Sequence, residues 1–154
     1  MRRGLSLAEL IIVIIIFGMV AALSMPMMSH AQPSPPDDRL REQLQILRVA
    51  IERYQQDHHG AFPGDASCDP QVVLDQLCTF SNLAGETSTV QSSDFPLGPY
   101  LRAVPRNPFA RLEQTNVLGL TDQDQTAWRY DCETGYVWAN ADGVDPEGTA
   151  YRDY

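Results

Sequence analysis

Hydrophobic and polar positions divide this chain into two unequal parts. From Leu10 to Met28 nearly every side chain is apolar, and the rest is polar or mixed. Those 19 residues at helical rise extend roughly 28 Å, close to the hydrocarbon thickness of a bilayer. Arg2 and Arg3 precede the run. Basic residues stay on the cytoplasmic side, so the pattern predicts a membrane helix that carries the C-terminal part across. Gln32-Pro33-Ser34-Pro35-Pro36 follows. Proline lacks the amide a helix needs and disfavours helix before it, so 32–36 reads as a short stiff linker.

Beyond the linker the periodicity becomes amphipathic. Asp37 or Asp38 is placed to cap a helix. Leu40, Leu44, Leu47, Ile51 and Tyr54 recur at steps of four and three, while most charged residues lie off that stripe. Such a stripe suits packing on the domain's own sheet or a coiled seam between subunits. Gly60 and Pro63 predict the helix end. His58 and His59 are adjacent and face different directions, a poor metal pair; the negative helix end accounts better for them. Asp69-Pro70 predicts a capped start to a short helix through Val72, Val73, Leu74 and Leu77.

The stretch from Ser81 to Gly98 is rich in Ser, Thr and Gly and predicts a loop. The prolines at 99, 105 and 108 exclude a central strand there, and 117–120 predicts a short strand. Segments 127–132 and 135–140 predict a hairpin that turns at Glu133-Thr134-Gly135. Trp128, Tyr130, Tyr136 and Trp138 alternate, which predicts an aromatic ladder on one face.

Composition narrows the function. With 44% hydrophobic and 20% charged residues, the chain has the makings of a folded domain. Its formal charge is -9, and all 11 basic residues are arginine. That excess repels nucleic acid and anionic lipid surfaces, so no direct nucleic-acid partner is expected. Cys68, Cys78 and Cys132 form no zinc pattern. In an exported domain they predict one disulfide and one spare thiol, with Cys68–Cys78 and Cys78–Cys132 both open. No nucleophile elbow or phosphate loop appears, and His30, His58 and His59 have no Ser or Cys partner at a recognisable spacing, so an enzyme is not expected.

Glu9 stands at the head of the apolar run. A carboxylate there is costly in lipid, and a disposable export signal gains nothing from it. The order Gly4-Leu5-Ser6-Leu7-Ala8-Glu9 resembles the processing site of the type IV pilin and type II secretion pseudopilin family. In that family a prepilin peptidase cuts after the glycine and methylates the new N-terminus, and the fifth residue after the cut is glutamate. Here the cut falls between Gly4 and Leu5, and Glu9 is fifth. Leu5 departs from the usual phenylalanine; Pro26 stands where the family places a proline. A freed Leu5 amine and a Glu9 carboxylate are each expensive at an apolar boundary unless paired, so Glu9 of one subunit is expected to neutralise Leu5 of its neighbour during assembly. The bland alternative is that Glu9 only reaches back to the headgroups.

The resemblance extends further along the chain: Tyr54 with Gly60-Ala61-Phe62-Pro63, the proline-containing loop through Asn107-Pro108-Phe109, and the terminal hairpin. It implies an α+β pilin fold, with an N-terminal transmembrane helix, a proline-rich break and an amphipathic helix on a small antiparallel sheet. The implied divisions are a leader over 1–4, an assembly helix over 5–31, the linker over 32–36 and a periplasmic domain over 37–154. The implied role is a structural subunit of a type II secretion pseudopilus, held in the inner membrane by a single pass. Its implied partners are the prepilin peptidase, other pilin or pseudopilin subunits and the secretion platform. A type IV or competence pilin for adhesion, motility or DNA uptake is the alternative; a Sec-secreted binding domain cut after Ala31 is another. Major pseudopilins bind calcium in a loop after a similar Ala-Asp-Gly. The resemblance thus marks Asp142 as a candidate Ca²⁺ ligand, with Asp145 the best candidate partner in an oxygen-rich turn.

Overall fold

Residues 7–8, 10–15, 36–110, 118–120 and 126–154 are described by a computed structural model of the chain. It comprises two units, Met1–Pro33 and Ser34–Tyr154. In the first, residues 7–8 and 10–15 are helical and their side chains exposed.

The second unit opens with helix α1 (Pro36–Asp57). Pro36 begins this helix and is not part of the linker: a first-turn amide has no intrahelical partner, so proline loses nothing there. Asp37 and Asp38 consequently lie within the first turn, where the helix dipole favours acids. The expected stripe is buried throughout: Leu40, Leu44, Leu47, Ile51 and Tyr54, joined by Ala50. At the far end His59 adopts φ 58° and Gly60 φ 96°. The Gly60 amide reaches back to the Gln55 carbonyl at 2.8 Å, a Schellman-type closure. The left-handed turn therefore starts one residue before the glycine expected to make it.

Helix α2 (Pro70–Cys78) starts as predicted, with the Asp69 carboxylate accepting the Gln71 amide at 2.7 Å. Strands β1 (Phe80–Ser81) and β2 (Thr87–Ser88) then pair antiparallel, inside the stretch expected to be a loop. Asn82 causes this: its side-chain oxygen accepts the Ala84 and Glu86 amides, each at 3.0 Å, and turns the chain back.

A second sheet holds β3 (Leu118–Gly119), β4 (Trp128–Tyr130) and β5 (Val137–Ala139) in that order. The β4–β5 hairpin is antiparallel, but β3 runs parallel to β4. The sheet is thus mixed, which corrects the expected antiparallel one. Both residues of β3 are buried, so it covers the edge of β4 that the hairpin leaves open. The aromatic ladder is also corrected. Trp128 pairs with Ala139 and Tyr130 with Val137, and these four are buried. Tyr136 and Trp138 fall on the other face, stacked with centroids 5.6 Å apart. A side chain's face follows its register, and this register is offset by one residue from the ladder expected.

Several polar atoms buried with the core are matched. Trp128 Nε1 donates to the Pro105 carbonyl at 2.7 Å and the Tyr130 hydroxyl to the Pro63 carbonyl at 3.0 Å. Asn107 Nδ2 donates to the Ala127 carbonyl at 2.7 Å, while its oxygen accepts the Phe109 amide at 2.9 Å. Pro105 thus holds its carbonyl where the indole donor needs it.

Among the described residues no helix is long and apolar enough to cross a membrane. This overturns the expected transmembrane helix as a part of the fold, and with it the single-pass inner-membrane placement. Residues 10–15 span only about 9 Å as helix, against roughly 30 Å of hydrocarbon. Helix α1, at 22 residues, is long enough but carries nine charged side chains. The expected linker at 32–35 and most of the apolar run lie outside the described residues.

Candidate functional site

The residues expected to direct processing and assembly, Gly4, Leu5, Glu9 and Pro26, lie outside the described residues. The cysteines do not. Cys68 and Cys132 form the disulfide, with Cα atoms 5.8 Å apart, and Cys78 is the free, half-buried thiol. Neither pairing left open by the sequence is the one formed. Cys68 follows the turn after α1 and has φ 48°, and Cys132 lies in the turn that follows β4; only the fold brings them together. Burial, and then the Asp75 carboxylate, push the Cys78 thiol above its usual range.

Asp142 is exposed and Asp145 is not. The Asp145 side chain is 1% exposed and turned inward. Its carboxylate accepts the Arg41 guanidinium at 2.8 Å, the Tyr154 hydroxyl at 2.8 Å and the Thr149 amide at 2.7 Å. Burial by itself would raise this acid; the bonds from Tyr154 and Thr149 outweigh it and hold the group below the usual aspartate range. The Tyr154 hydroxyl is pushed up to about 12, first by burial and then by its bond to Asp145. Asp145 therefore already faces a cation of the protein's own. Among the described residues no group of three or more His, Cys, Asp or Glu is placed to hold a metal ion.

Around this lock lies the most distinctive surface of the domain. Arg41 and Arg48 project seven residues apart from one face of α1, toward the chain's last residues. The Arg41 guanidinium sits 4.6 Å from the Tyr154 ring centre. Arg48 donates to the Val137 carbonyl at 3.3 Å and to the Tyr154 backbone oxygen, and lies 5.8 Å from the Tyr136 ring. Between them Leu44, Gln45, Thr149 and Tyr154 line an open groove of about 360 Å³. Sequence reasoning treated these arginines only as charges off the apolar stripe. Their seven-residue spacing was the available signal; their partners, 89 to 113 residues away, were not.

A second polar cluster closes the other end of α1. His58 is buried and stacks on Tyr54 with centroids 3.7 Å apart. Its Nδ1 lies 2.8 Å from the Tyr54 carbonyl, which can only accept, so Nδ1 carries a proton. In the neutral ring Nε2 then accepts the Ser81 hydroxyl at 3.2 Å. Ser81 is 0% exposed, so no substrate reaches this Ser–His pair. It ties the end of α1 to β1, and the Tyr100 hydroxyl adds a bond to Asp57 at 3.0 Å. His58 thus has a packing role beyond the helix-end placement expected of it, while His59 is exposed.

No family model, no curated protein and no solved structure matches this chain.

Proposed function

We propose that this chain is a structural subunit of a pilin-like filament of the type II secretion pseudopilus kind, released from its leader by cleavage between Gly4 and Leu5. The observation that carries the reading is the spacing in the first ten residues. Glycine, then glutamate five positions later, heads an uninterrupted apolar run. Cleavage frees the Leu5 amine, and the Glu9 carboxylate of a neighbouring copy neutralises it. Inside a bundle of apolar segments neither charge is tolerable alone, so the pairing sets the axial register of the filament. Growth of such a filament performs mechanical work on exported protein, with a prepilin peptidase, further subunits and a secretion platform as partners.

The domain has features that suit this role. Its disulfide is of a kind favoured in oxidising compartments. Helix α1 buries its apolar stripe within its own unit.

Sequencing the N-terminus of the mature protein tests the reading. Methylated Leu5 is the expected first residue; a chain that begins at Gln32 would instead be a secreted domain and would end the proposal. Glu9→Ala is expected to leave cleavage intact and to abolish filaments in electron micrographs. Gly4→Arg is expected to block cleavage.

A further inference from the structure

The last turn of α1 carries a hydroxyl that the fold buries without a partner, and we propose that the cleft beside it binds a guanidinium group. The inference stands on the folded domain alone and does not depend on the filament reading.

Tyr54 is 2% exposed. A tyrosine buried to that degree ordinarily gives its hydroxyl a partner. Tyr130 does so at the Pro63 carbonyl and Tyr100 at Asp57, each at 3.0 Å. The Tyr54 hydroxyl makes no hydrogen bond to any described residue. It lies beside Gly85, and the two residues line a cleft of about 90 Å³ together with Phe62, Asp65, Gln76 and Leu83. A single water needs roughly 10–15 Å³ of such space, so the cleft admits a larger group. Gly85 keeps it open: a Cβ there would lie 3.0 Å from the Tyr54 hydroxyl and 2.8 Å from the Gln76 amide nitrogen.

Gln76 fixes two of the walls. Its Oε1 accepts the Gly64 amide at 2.7 Å, and its Nε2 donates to the Gly85 carbonyl at 2.8 Å. The first bond holds the backbone next to Asp65, and the second holds the turn between β1 and β2. The cleft is therefore shaped before any ligand arrives, which lowers the cost of binding.

The free polar groups name the ligand. Asp65 is exposed, and its carboxylate pairs with no described residue. Burial first, and then the Asp65 charge, push the Tyr54 hydroxyl up to about 12, so it stays neutral. A carboxylate excludes anions, and with the hydroxyl it offers oxygens to N–H donors. No arginine lines the cleft. Arg53, next to Tyr54 in the chain, lines a separate groove with Tyr100 and Leu101. The protein thus supplies no cation of its own there. Phe62 and Leu83 make the other walls apolar. A guanidinium suits this mixture better than an ammonium: it is less strongly hydrated, packs its plane on aromatic faces and meets a carboxylate with paired donors. In the bound state one N–H donates to the Tyr54 hydroxyl, and others donate to Asp65.

Methylguanidinium is the probe, titrated into the full chain and followed by NMR. Saturable shifts are expected at the Gly85 amide and the Tyr54 ring, with Kd on the order of 1 mM for so small a ligand. Methylammonium should bind about tenfold more weakly, and acetate should not bind. Tyr54→Phe and Asp65→Asn should each weaken methylguanidinium at least about tenfold, the worth of a hydrogen bond to a charged group. Tyr54→Phe gives a second readout. It keeps the ring that stacks on His58 and removes only the unpartnered hydroxyl, so the unligated melting temperature should not change. A lower one would show that the hydroxyl already has a protein partner and would overturn the inference. Shifts that do not saturate, that fall at other residues, that survive both substitutions or that methylammonium matches would overturn it equally. A tripeptide with one arginine and blocked ends separates the two sources of the group. Saturation by the peptide at the same residues assigns the cleft to an arginine side chain of a partner. Binding of methylguanidinium without the peptide assigns it to a free guanidinium compound.

Discussion

Gly135 makes the hairpin turn at φ 70°, and an added Cβ there would lie 2.3 Å from the Phe62 ring. Both the backbone and the space demand glycine. Gly135→Ala is expected to cost about 2–4 kcal/mol, the sum of left-handed strain and a core clash, read as a lowered melting temperature with the fold retained. Beside it, Asp131 accepts the Thr134 hydroxyl at 2.7 Å and the Glu133 amide at 2.9 Å. Those bonds, led by the Thr134 hydroxyl, lower its pKa, as the bonds to Asp145 lower that one. Acids held low in the fold stabilise it above their ordinary value of 3.8 and lose that contribution as pH falls through the lower folded value. Melting temperature is therefore expected to drop steeply below about pH 4, and Asp145→Asn should flatten that acid limb while lowering the plateau. Tyr54 behaves oppositely. Burial and then Asp65 push it up to about 12, so its contribution is complete below 10 and lost as pH rises through 12. Ultraviolet titration should show its ionisation only together with alkaline unfolding.

At the scale of elements, α1 decides most of the domain. Its stripe was legible because a period of three and four is a local property of the sequence, and Leu40, Leu44 and Leu47 are each 1% exposed or less. Leu44→Ala is expected to cost roughly 2–5 kcal/mol in denaturant unfolding, with an unchanged slope. The start of α2 was equally legible, since Asp69 caps within two residues of itself; Asp69→Ala should cost about 1 kcal/mol. The sheet was less so. The hairpin was visible in its turn, but its register was not, and one residue of offset moved Tyr136 and Trp138 to the outer face. Strands β1 and β2 are two residues each, too short for any alternation to be read.

For the whole molecule, the disulfide joins residues 64 positions apart. A loop of that length lowers the entropy of the unfolded chain by an amount worth about 4 kcal/mol. Reduction, or Cys132→Ser, is expected to lower stability by about that much, measured by urea unfolding. Thiol titration of the denatured, unreduced chain should find one reactive cysteine, Cys78, and three after reduction.

The sequence alone determined what depends on neighbours a few positions away: the Gly4–Glu9 spacing ahead of an apolar run, the amphipathic helix, the capped second helix, the hairpin turn and the acidic balance. Each is set by short-range geometry or by simple summation of charge. The tertiary structure decided what depends on distant segments meeting: that Cys68 pairs with Cys132, that β3 runs parallel to β4, that Asp145 turns inward to Arg41, and that two arginines seven residues apart share a groove with Tyr154. Contacts across 64 to 113 residues depend on how the whole core closes, and no local pattern encodes which of many compatible partners will arrive.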